Sequence, residues 1–568
     1  MKKSSKLLSL ILTFSLIAAT VLTGCSSFKE SSDITYCEST TTTSDAAPSI
    51  RSKSYEYKTE ESPVLEYSMM DTAAGMISDN DTELFEEENG FDDFNTEEYL
   101  DIKESGFKKT VISPLSTFAA DVDTGSLTNL RRILKDSGRF SSVPSGAVRT
   151  EELINYFDYT AGKKVDGEKF SLRTELHPCP WNEKNGLLMM TVTANQEEAD
   201  YVGNNFVFLV DTSGSMYGSD RIDLAVTGFK MLAKSLTSKD RVSLVTYSGS
   251  YETILDGVSG DRYDKICRGL DSLNASGCTD GSAGINEAYR CALDNFIPGG
   301  NNRVIIASDG DMNLGITSTS GLTDLIREKK KSGVFLTVLG FGSGNYSDAN
   351  MESIADAGNG NYYYIDCEQE AKRVLVDKLK STTVTVAKDV KFQIEFNPAV
   401  VAEYRQIGYE NRQMAAEDFN DDKKDGGEVG AGTQVTVLYE ITFADNDSSE
   451  ETGLKYQENK LKDGVDANEM LTLSVRFKEP VEDTSILEKH VVLYGMSDSI
   501  TPDYAWASGI VELSMNIRGS EFIGSSSYVS AIDLMSIGTE SKDPSRTDFR
   551  DLIANVARAS DPDERGQM

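Results

Sequence analysis

Short apolar segments alternate with amphipathic segments across the middle of the chain, and this alternation constrains the fold most strongly. The apolar segments have the length and residue types of buried β-strands, and the segments between them place apolar residues at helical spacing, as in Ile222 to Leu236. Such an order is typical of a parallel sheet with helices on both faces. We therefore predict a doubly wound α/β domain. Its predicted strands are Phe206–Val210, Val242–Tyr247, Val304–Ala307, Val334–Leu339 and Tyr362–Ile365.

A different pattern lies on each side of this domain. Strands are predicted before it, and after about Thr382 the chain alternates like half-buried strands. A few strands with exposed edges are unstable alone. We therefore expect the two groups to pair into one β-rich module in which the α/β domain is inserted. The predicted strands are Phe170–Leu176, Leu187–Thr193, Val384–Val386, Val390–Phe396, Gln434–Phe443 and Leu471–Phe477, and the predicted helices are Thr128–Lys135, Arg149–Phe157, Tyr504–Met515 and Arg546–Ala559.

The N-terminus is predicted to be a targeting segment that takes no part in the fold. Three lysines precede the apolar stretch Leu7 to Leu22, which is short for a full membrane span. The residues Leu22-Thr23-Gly24-Cys25 that follow resemble the bacterial lipobox, in which cleavage precedes a cysteine that becomes lipid-modified. The resemblance implies that lipid on Cys25 anchors the chain to the bacterial membrane, with the remainder outside the cytoplasm.

The formal net charge of −36 argues against nucleic acid as a partner. Much of the acid lies between Glu60 and Glu104, after a Ser/Thr-rich stretch. Residues 25–110 lack sustained periodicity, so we predict a disordered tether between the membrane and the folded part.

Histidine and cysteine usage restricts the chemistry. Only His177 and His490 are present, which leaves little material for imidazole-based zinc sites or Ser-His-Asp triads. The six cysteines other than Cys25 form no recognisable disulfide framework or metal cluster, although Cys267 and Cys291 lie in successive helical patterns and could approach each other. The six are Cys37, Cys179, Cys267, Cys278, Cys291 and Cys367.

The join between the first predicted strand of the α/β domain and its following loop carries a candidate site. The strand Phe206–Val210 is followed directly by Asp211, Ser213 and Ser215, which place one carboxylate and two hydroxyls on one tight loop. These are hard oxygen ligands, suited to Mg²⁺, Ca²⁺ or Mn²⁺ and poorly suited to zinc or copper.

Two further loops are expected to reach the same edge of the sheet. Asp309 follows the strand Val304–Ala307, and Thr279 lies in a glycine-containing loop between the two strands. Ligands bind at the carboxyl ends of the strands in such sheets. We therefore predict a divalent-cation site built from three loops.

These three loops together resemble the von Willebrand factor type A family, which has a metal-ion-dependent adhesion site. The resemblance implies that hydroxyls coordinate the ion directly and that the two carboxylates act mainly through water, with Mg²⁺ favoured and Ca²⁺ or Mn²⁺ as alternatives. The implied metal residues are Asp211, Ser213, Ser215, Thr279 and Asp309.

The flanks of the domain, including Ser116–Thr124 and Ile407–Arg412, resemble the extra regions of a bacterial lipoprotein subgroup of that family. The predicted regions are the signal peptide (1–24), the acidic tether (25–110), an N-terminal flanking region (111–200), the von Willebrand factor type A domain (201–378) and a C-terminal β-rich region ending in helices (379–568).

Neutral hydroxyl ligands leave much of the cation's positive charge uncompensated. The ion can therefore also be coordinated by a carboxylate of another molecule. We therefore predict a protein that is not an enzyme and that binds a protein or cell-envelope ligand. Two hydrolase alternatives stay open: an aspartic-protease-like dyad of Asp123 and Asp211, and a phosphatase-like pair of Asp121 and Asp123. A third interpretation of Asp121–Thr124 is a capped start to the predicted helix near Thr128.

Overall fold

The computed structural model describes residue 99 and residues 102–559, except 196–200, 277–281, 311–318, 344–347, 359, 380–384, 423, 425, 445–463, 467, 480–481, 483 and 542. The predicted signal peptide, the predicted lipidation site Cys25, Cys37 and most of the predicted tether lie outside the described residues. Within the described ranges, no helix combines the length and the apolar character that a membrane span requires.

The described residues form sixteen strands and eleven helices that the text below refers to by number. The strands are β1 Lys108–Lys109, β2 Leu115–Ala119, β3 Phe170–Cys179, β4 Asn182–Ala194, β5 Asn204–Asp211, β6 Arg241–Tyr247, β7 Tyr251–Ser259, β8 Asn301–Ser308, β9 Phe335–Gly340, β10 Tyr362–Tyr364, β11 Thr385–Phe396, β12 Val401–Ile407, β13 Gly427–Gly430, β14 Gln434–Phe443, β15 Glu469–Lys478 and β16 Ser485–Leu493. The helices are α1 Gly125–Ser137, α2 Thr150–Asn155, α3 Ile222–Ser235, α4 Tyr263–Asp271, α5 Ser282–Asp294, α6 Thr319–Lys330, α7 Asp348–Ala357, α8 Glu368–Lys372, α9 Pro502–Arg518, α10 Tyr528–Gly538 and α11 Pro544–Ala559.

A six-stranded sheet in the order β10-β9-β8-β5-β6-β7 forms the centre of the α/β domain. All neighbouring strands run parallel except β7, which pairs antiparallel with β6 at one edge. The five predicted strands are all present, so the prediction of a doubly wound, mainly parallel sheet is confirmed. The sequence did not reveal β7, because this edge strand is only partly buried and lacks the continuous apolar run of its neighbours.

Helices cover both faces of this sheet and explain why its central strands are apolar along their length. All eight residues of β5 are buried. On one face Phe208 stacks on Phe229 of α3, with ring centroids 4.2 Å apart. On the other face Leu209 joins the cluster that contains Tyr289 of α5. Successive residues of β5 therefore point into opposite layers, as a doubly covered sheet requires.

The strands before and after the α/β domain pair directly with each other. In one sheet, ordered β1-β12-β14-β4-β3, Leu188 of β4 lies opposite Tyr439 of β14. In the second, ordered β13-β11-β15-β16, β2 also pairs with β11 and brings Phe118 opposite Phe392. The four side chains lie in two sheets that contribute to one apolar cluster. The prediction that the α/β domain is inserted in a β-rich module is thus confirmed.

A helical layer covers one face of the first sheet. Helices α1, α2, α9 and α11 share an apolar cluster with Leu187 of β4 and Leu438 of β14. Its centre is Trp506 of α9, which is fully buried and meets the ring of Phe157 edge-on at 4.8 Å. Helix α10 was not predicted. It packs Ala531 and Met535 into the same cluster.

Four cysteines of the described chain are free thiols: Cys179, Cys267, Cys291 and Cys367. Cys267 and Cys291 lie on the successive helices α4 and α5, as the periodicity predicted, but they form no disulfide. Cys278 lies outside the described residues.

Candidate metal centre

The loop that follows β5 gathers three of the predicted site residues. Asp211 is the last residue of β5, and its Oδ1 accepts a hydrogen bond of 2.9 Å from the backbone N–H of Ser213. A single 3₁₀ turn, Gly214–Met216, then brings the hydroxyl oxygens of Ser213 and Ser215 to 2.9 Å from each other. The carboxylate and the two hydroxyls are therefore held together on one short loop, as the sequence predicted.

The neighbouring strand β8 adds a second carboxylate at the same edge of the sheet. Val210 of β5 lies opposite Ala307 of β8, so the residues that follow each of them emerge side by side. The hydroxyl of Ser308 donates to Asp211 Oδ2 at 3.2 Å, and Asp309 comes next and is buried. Ser308 was not among the predicted site residues, although its place at the end of a buried strand was visible in the sequence.

The acid–base state of Asp211 reflects this crowding. Burial raises the pKa of Asp211 to about 6, hydrogen bonds from Ser213 and Ser308 act in the opposite direction, and the charge of Asp309 raises it further. Two facing carboxylates in a buried place repel each other when both are ionised. A cation between them would relieve that repulsion.

The third predicted loop reaches the same place, although Thr279 itself lies outside the described residues. At the end of its described part, the N–H of Ser276 donates to the backbone oxygen of Thr212 at 2.8 Å. This bond ties the loop after α4 to the loop after β5.

The donor set fits a hard divalent cation. It consists of oxygen atoms alone, from two carboxylates and two hydroxyls, and such ligands suit Mg²⁺, Ca²⁺ or Mn²⁺. In the described part of the chain, no group of three or more His, Cys, Asp or Glu side chains is arranged to hold a metal. A cation at this edge would therefore depend on Ser213, Ser215 and Asp211, with Asp309 beside them.

An arginine that sequence analysis missed braces the loop. Arg221, just before α3, donates from Nη1 to the backbone oxygen of Ser215 at 3.0 Å and from Nη2 to that of Ser343 at 2.7 Å. It also packs so closely on Gly342, whose φ is +73°, that a Cβ there would lie 2.2 Å from Arg221 Nε. The guanidinium thus links the loop after β5 to the loop after β9. No local sequence signal distinguishes this arginine from a surface residue.

The proposed protease-like dyad of Asp123 and Asp211 is wrong for a geometric reason. Asp123 Oδ1 accepts the N–H of Tyr362 on β10 at 3.0 Å. Strand β10 lies three strands from β5, which is about 14 Å at ordinary strand spacing. The two carboxylates therefore cannot share a proton.

Asp121 and Asp123 instead belong to a set of charged residues that we call the Arg412 cluster. It lies where the β-rich module meets α7, and all its carboxylates surround one guanidinium. Arg412 Nε is 2.7 Å from Asp121, and its two terminal nitrogens are 3.3 Å from Asp123, 3.5 Å from Glu352 and 2.6 Å from Asp356. The members are Asp121, Asp123, Glu352, Asp356 and Arg412.

This arrangement bears on two further interpretations of Asp121–Thr124. Thr124 does occupy the N-cap position of α1, so the predicted helix start is correct, but it makes no side-chain capping bond, and Asp121 Oδ1 accepts the N–H of Asp123 instead. A phosphatase-like pair is disfavoured, because both carboxylates are engaged by Arg412 and Asp123 also binds the backbone of β10. Asp121 and Asp123 join the two parts of the molecule.

Comparison with known proteins places three consecutive parts of the chain in described families. Residues 93–189 match the model described as von Willebrand factor, and residues 205–378 match the von Willebrand factor type A domain. Residues 381–559 match the C-terminal region of the uncharacterized protein YfbK. Over 444 residues the chain is 38% identical to the uncharacterized protein YfbK of Escherichia coli (strain K12), and the match covers 76% of each protein.

Solved structures with related architecture are more distant. A von Willebrand factor type A protein from Catenulispora acidiphila aligns with a TM-score of 0.40 and 15% identity, over 66% of this chain and 87% of the other. The ArnB paralog VWA2 from Sulfolobus acidocaldarius aligns with a TM-score of 0.34 and 16% identity, over 69% and 97%.

Proposed function

Since this chain belongs to the family of the Escherichia coli protein YfbK and carries a von Willebrand factor type A domain, we propose that it binds a protein or cell-envelope ligand through a divalent cation. The observation that carries the proposal is the convergence of Asp211, Ser213, Ser215 and Asp309 at the carboxyl edge of the sheet. Thr279 is proposed as a further ligand from its loop. Mg²⁺ is the expected ion, with Ca²⁺ or Mn²⁺ as alternatives.

The proposed role of the cation is to attract a carboxylate of the partner. Hydroxyl ligands bring no charge, so an ion held by Ser213 and Ser215 keeps affinity for an anionic ligand from outside. The proposal requires no residue of the site to act as a nucleophile or as a general base. We therefore propose a binding protein without turnover, of the adhesion type that its domain class supports.

The metal proposal can be tested by thermal melts with increasing Mg²⁺. A ligand of the native state stabilises it by about 2.7 kcal/mol at one hundred times its Kd, so the melting temperature of the wild type should rise with Mg²⁺. Asp309→Ala should lower this rise while stabilising the metal-free protein, because one of two facing carboxylates is removed. Asp324→Ala is a matched control, since Asp324 is an exposed carboxylate on α6. Equal Mg²⁺-induced shifts in all three proteins would remove Asp309 from the site.

Ligand binding is tested separately by capturing partners from native membranes. Capture should fail in EDTA and with Asp211→Ala, and Mg²⁺ should restore it for the wild type alone. Capture that is indifferent to both changes would contradict the proposal.

We also propose that lipid on Cys25 anchors the protein to the bacterial membrane, with the remainder of the chain outside the cytoplasm. The support is the sequence Leu22-Thr23-Gly24-Cys25 after a short apolar stretch. Cys25→Ser should release the protein from the membrane fraction, and mass spectrometry of the wild type should find an acylated N-terminal cysteine. A mature N-terminus at any other residue would refute the anchor.

A further inference from the structure

The most exposed large apolar side chain in the described part of the molecule stands beside the candidate metal centre. Tyr217 is 78% exposed and follows Ser215 by two residues. Single exposed apolar residues are common and mean little by themselves. Tyr217, however, lies on the loop that supplies the proposed cation ligands. A partner bound to the cation would therefore lie close to this side chain.

The loop presents Tyr217 from a fixed backbone. The preceding side chain, Met216, is fully buried and anchors the turn. The N–H of Tyr217 donates to the backbone oxygen of Gly214 at 3.2 Å, and the N–H of Arg221 donates to that of Gly218 at 3.3 Å. A ring that projects from a braced loop loses little freedom when a partner covers it, which favours its use as a contact.

A second exposed aromatic residue lies along the same edge. In the β6–β7 hairpin Tyr251 pairs with Tyr247, and Tyr247 pairs with Asp211 on the other side. Tyr251 is 47% exposed and stands two strands, or about 10 Å, from the strand that ends in Asp211. Two exposed tyrosines thus accompany the cation site, and we call them the tyrosine rim.

We propose that the tyrosine rim, Tyr217 and Tyr251, contacts an apolar side chain next to the carboxylate that binds the cation. The inference rests on the proposed function and specifies its partner: a peptide segment with an aspartate or glutamate beside a large apolar residue. Tyrosine suits this task, because it offers a large ring and a polar hydroxyl at low cost in side-chain freedom. The net charge of −36 disfavours polyanionic partners, whereas one carboxylate in an apolar setting is compatible with it.

The test compares two labelled peptides, acetyl-Leu-Asp-Leu-amide and acetyl-Ser-Asp-Ser-amide, by fluorescence anisotropy on the full chain in Mg²⁺. The wild type should bind the leucine peptide about tenfold more tightly, which corresponds to about 1.4 kcal/mol. Tyr217→Ala should bind both peptides alike. Tyr263→Ala is the matched control: Tyr263 is 39% exposed and begins α4, after β7 has returned to the opposite edge of the sheet. It should keep the preference.

Titration of each protein with Mg²⁺ alone separates this inference from the proposed function. Tyr217→Ala should bind Mg²⁺ like the wild type, because the ring supplies no ligand to the ion. Failure of the wild type to bind Mg²⁺, Ca²⁺ and Mn²⁺ alike would refute the proposed function itself. Normal Mg²⁺ binding with equal affinity for the two peptides, with no peptide binding, or with a preference that survives Tyr217→Ala would overturn the tyrosine rim. If glucuronate displaced the leucine peptide as well as acetyl-aspartyl-leucine amide did, the peptide assignment would be overturned in favour of a saccharide acid.

Discussion

Replacing Arg412 by methionine should loosen the junction between the α/β domain and the β-rich module. The substitution keeps most of the apolar stem and removes the guanidinium that contacts all four carboxylates of the Arg412 cluster. Glu352 keeps a second ion pair, with Arg149 at 2.5 Å, so the charges left uncompensated are chiefly those of Asp121 and Asp123. Asp121, Asp123 and Glu352 are almost fully buried, with at most 4% of each side chain exposed, so their charges are poorly screened by water. Asp356 is 40% exposed and contributes less.

The magnitude follows from the loss of a partner for buried charges. Breaking a buried ion pair from one side costs about 3–5 kcal/mol, because an uncompensated charge remains. Part of this cost is avoided when carboxylates take up protons, and the pKa of Asp123 is already raised by burial and by Asp121. We expect a loss of about 3–4 kcal/mol at neutral pH, near the lower end of that range.

Urea denaturation followed by circular dichroism measures this loss. With a slope of about 2–3 kcal/mol per molar, the midpoint should fall by roughly 1–2 M. The control is Arg327→Met, which removes an ion pair of 3.0 Å with Asp324 whose side chains are 61% and 73% exposed. Exposed pairs contribute about 0–1 kcal/mol, so this variant should stay close to the wild type. Equal effects of the two substitutions would refute the electrostatic account of the junction.

A second substitution tests whether uncompensated charge causes the loss of stability. Asp121→Asn in the Arg412→Met background removes one of the uncompensated charges, so it should restore part of the lost stability. A double variant less stable than Arg412→Met would show that shape, and not charge, decides the stability of the junction.

Three further outcomes are expected from particular residues. Burial raises the pKa of Glu151 to about 8 from an ordinary value of 4.5, so ionising this carboxyl lowers the stability of the folded state increasingly between about pH 4.5 and 8. Glu151→Gln should remove this loss, so the urea midpoints of variant and wild type should diverge as the pH rises. A constant difference between the two midpoints across this pH range would contradict the expectation. Cys179 is buried, and burial raises the pKa of its thiol. A thiol reagent should therefore label the partly exposed Cys267 before Cys179 in the native protein. Labelling in the reverse order would be inconsistent with the packing of β3. Gly408→Ala should destabilise more than Gly432→Ala, because both have φ near +76° but only the first would bring a Cβ to within 2.9 Å of Glu151; equal losses in urea denaturation would mean that backbone strain alone matters.

The α/β domain and its site edge were predictable because their signals are local. A doubly covered parallel sheet needs apolar strands, and the residues after each parallel strand emerge at one edge, so the sequence alone predicts that Asp211 and Asp309 lie close together. The edge strand β7 escaped prediction, and so did β12. β12 carries Arg405 at a core position, where it pairs with Glu440 at 2.9 Å, and this charge interrupts the apolar pattern.

The Arg412 cluster could not be predicted, because its members are distant in sequence. Arg412 and Asp121 are separated by 291 residues, and no local pattern indicates that they meet. The local sequence Asp121–Thr124 is compatible with a helix cap, with a phosphatase-like pair and with half of a protease-like dyad, because each of these is recognised from a few neighbouring residues. The contacts of Arg221 with two backbone oxygens are likewise set by the packing of separate loops.

The insertion of the α/β domain also separates in time the synthesis of strands that pair in the folded protein. Trp181, in the turn between β3 and β4, donates to Glu440 of β14, and 259 residues separate the two. At about 5–20 residues per second, synthesis brings Glu440 roughly 13–50 s after Trp181. Ten of the thirteen residues of β4 are buried in the finished protein, so during that interval β4 can pair with β3 but lacks β14 at its other edge. In the described part of the chain the strands of the α/β domain pair with one another alone, so this sheet can form before β14 is synthesised.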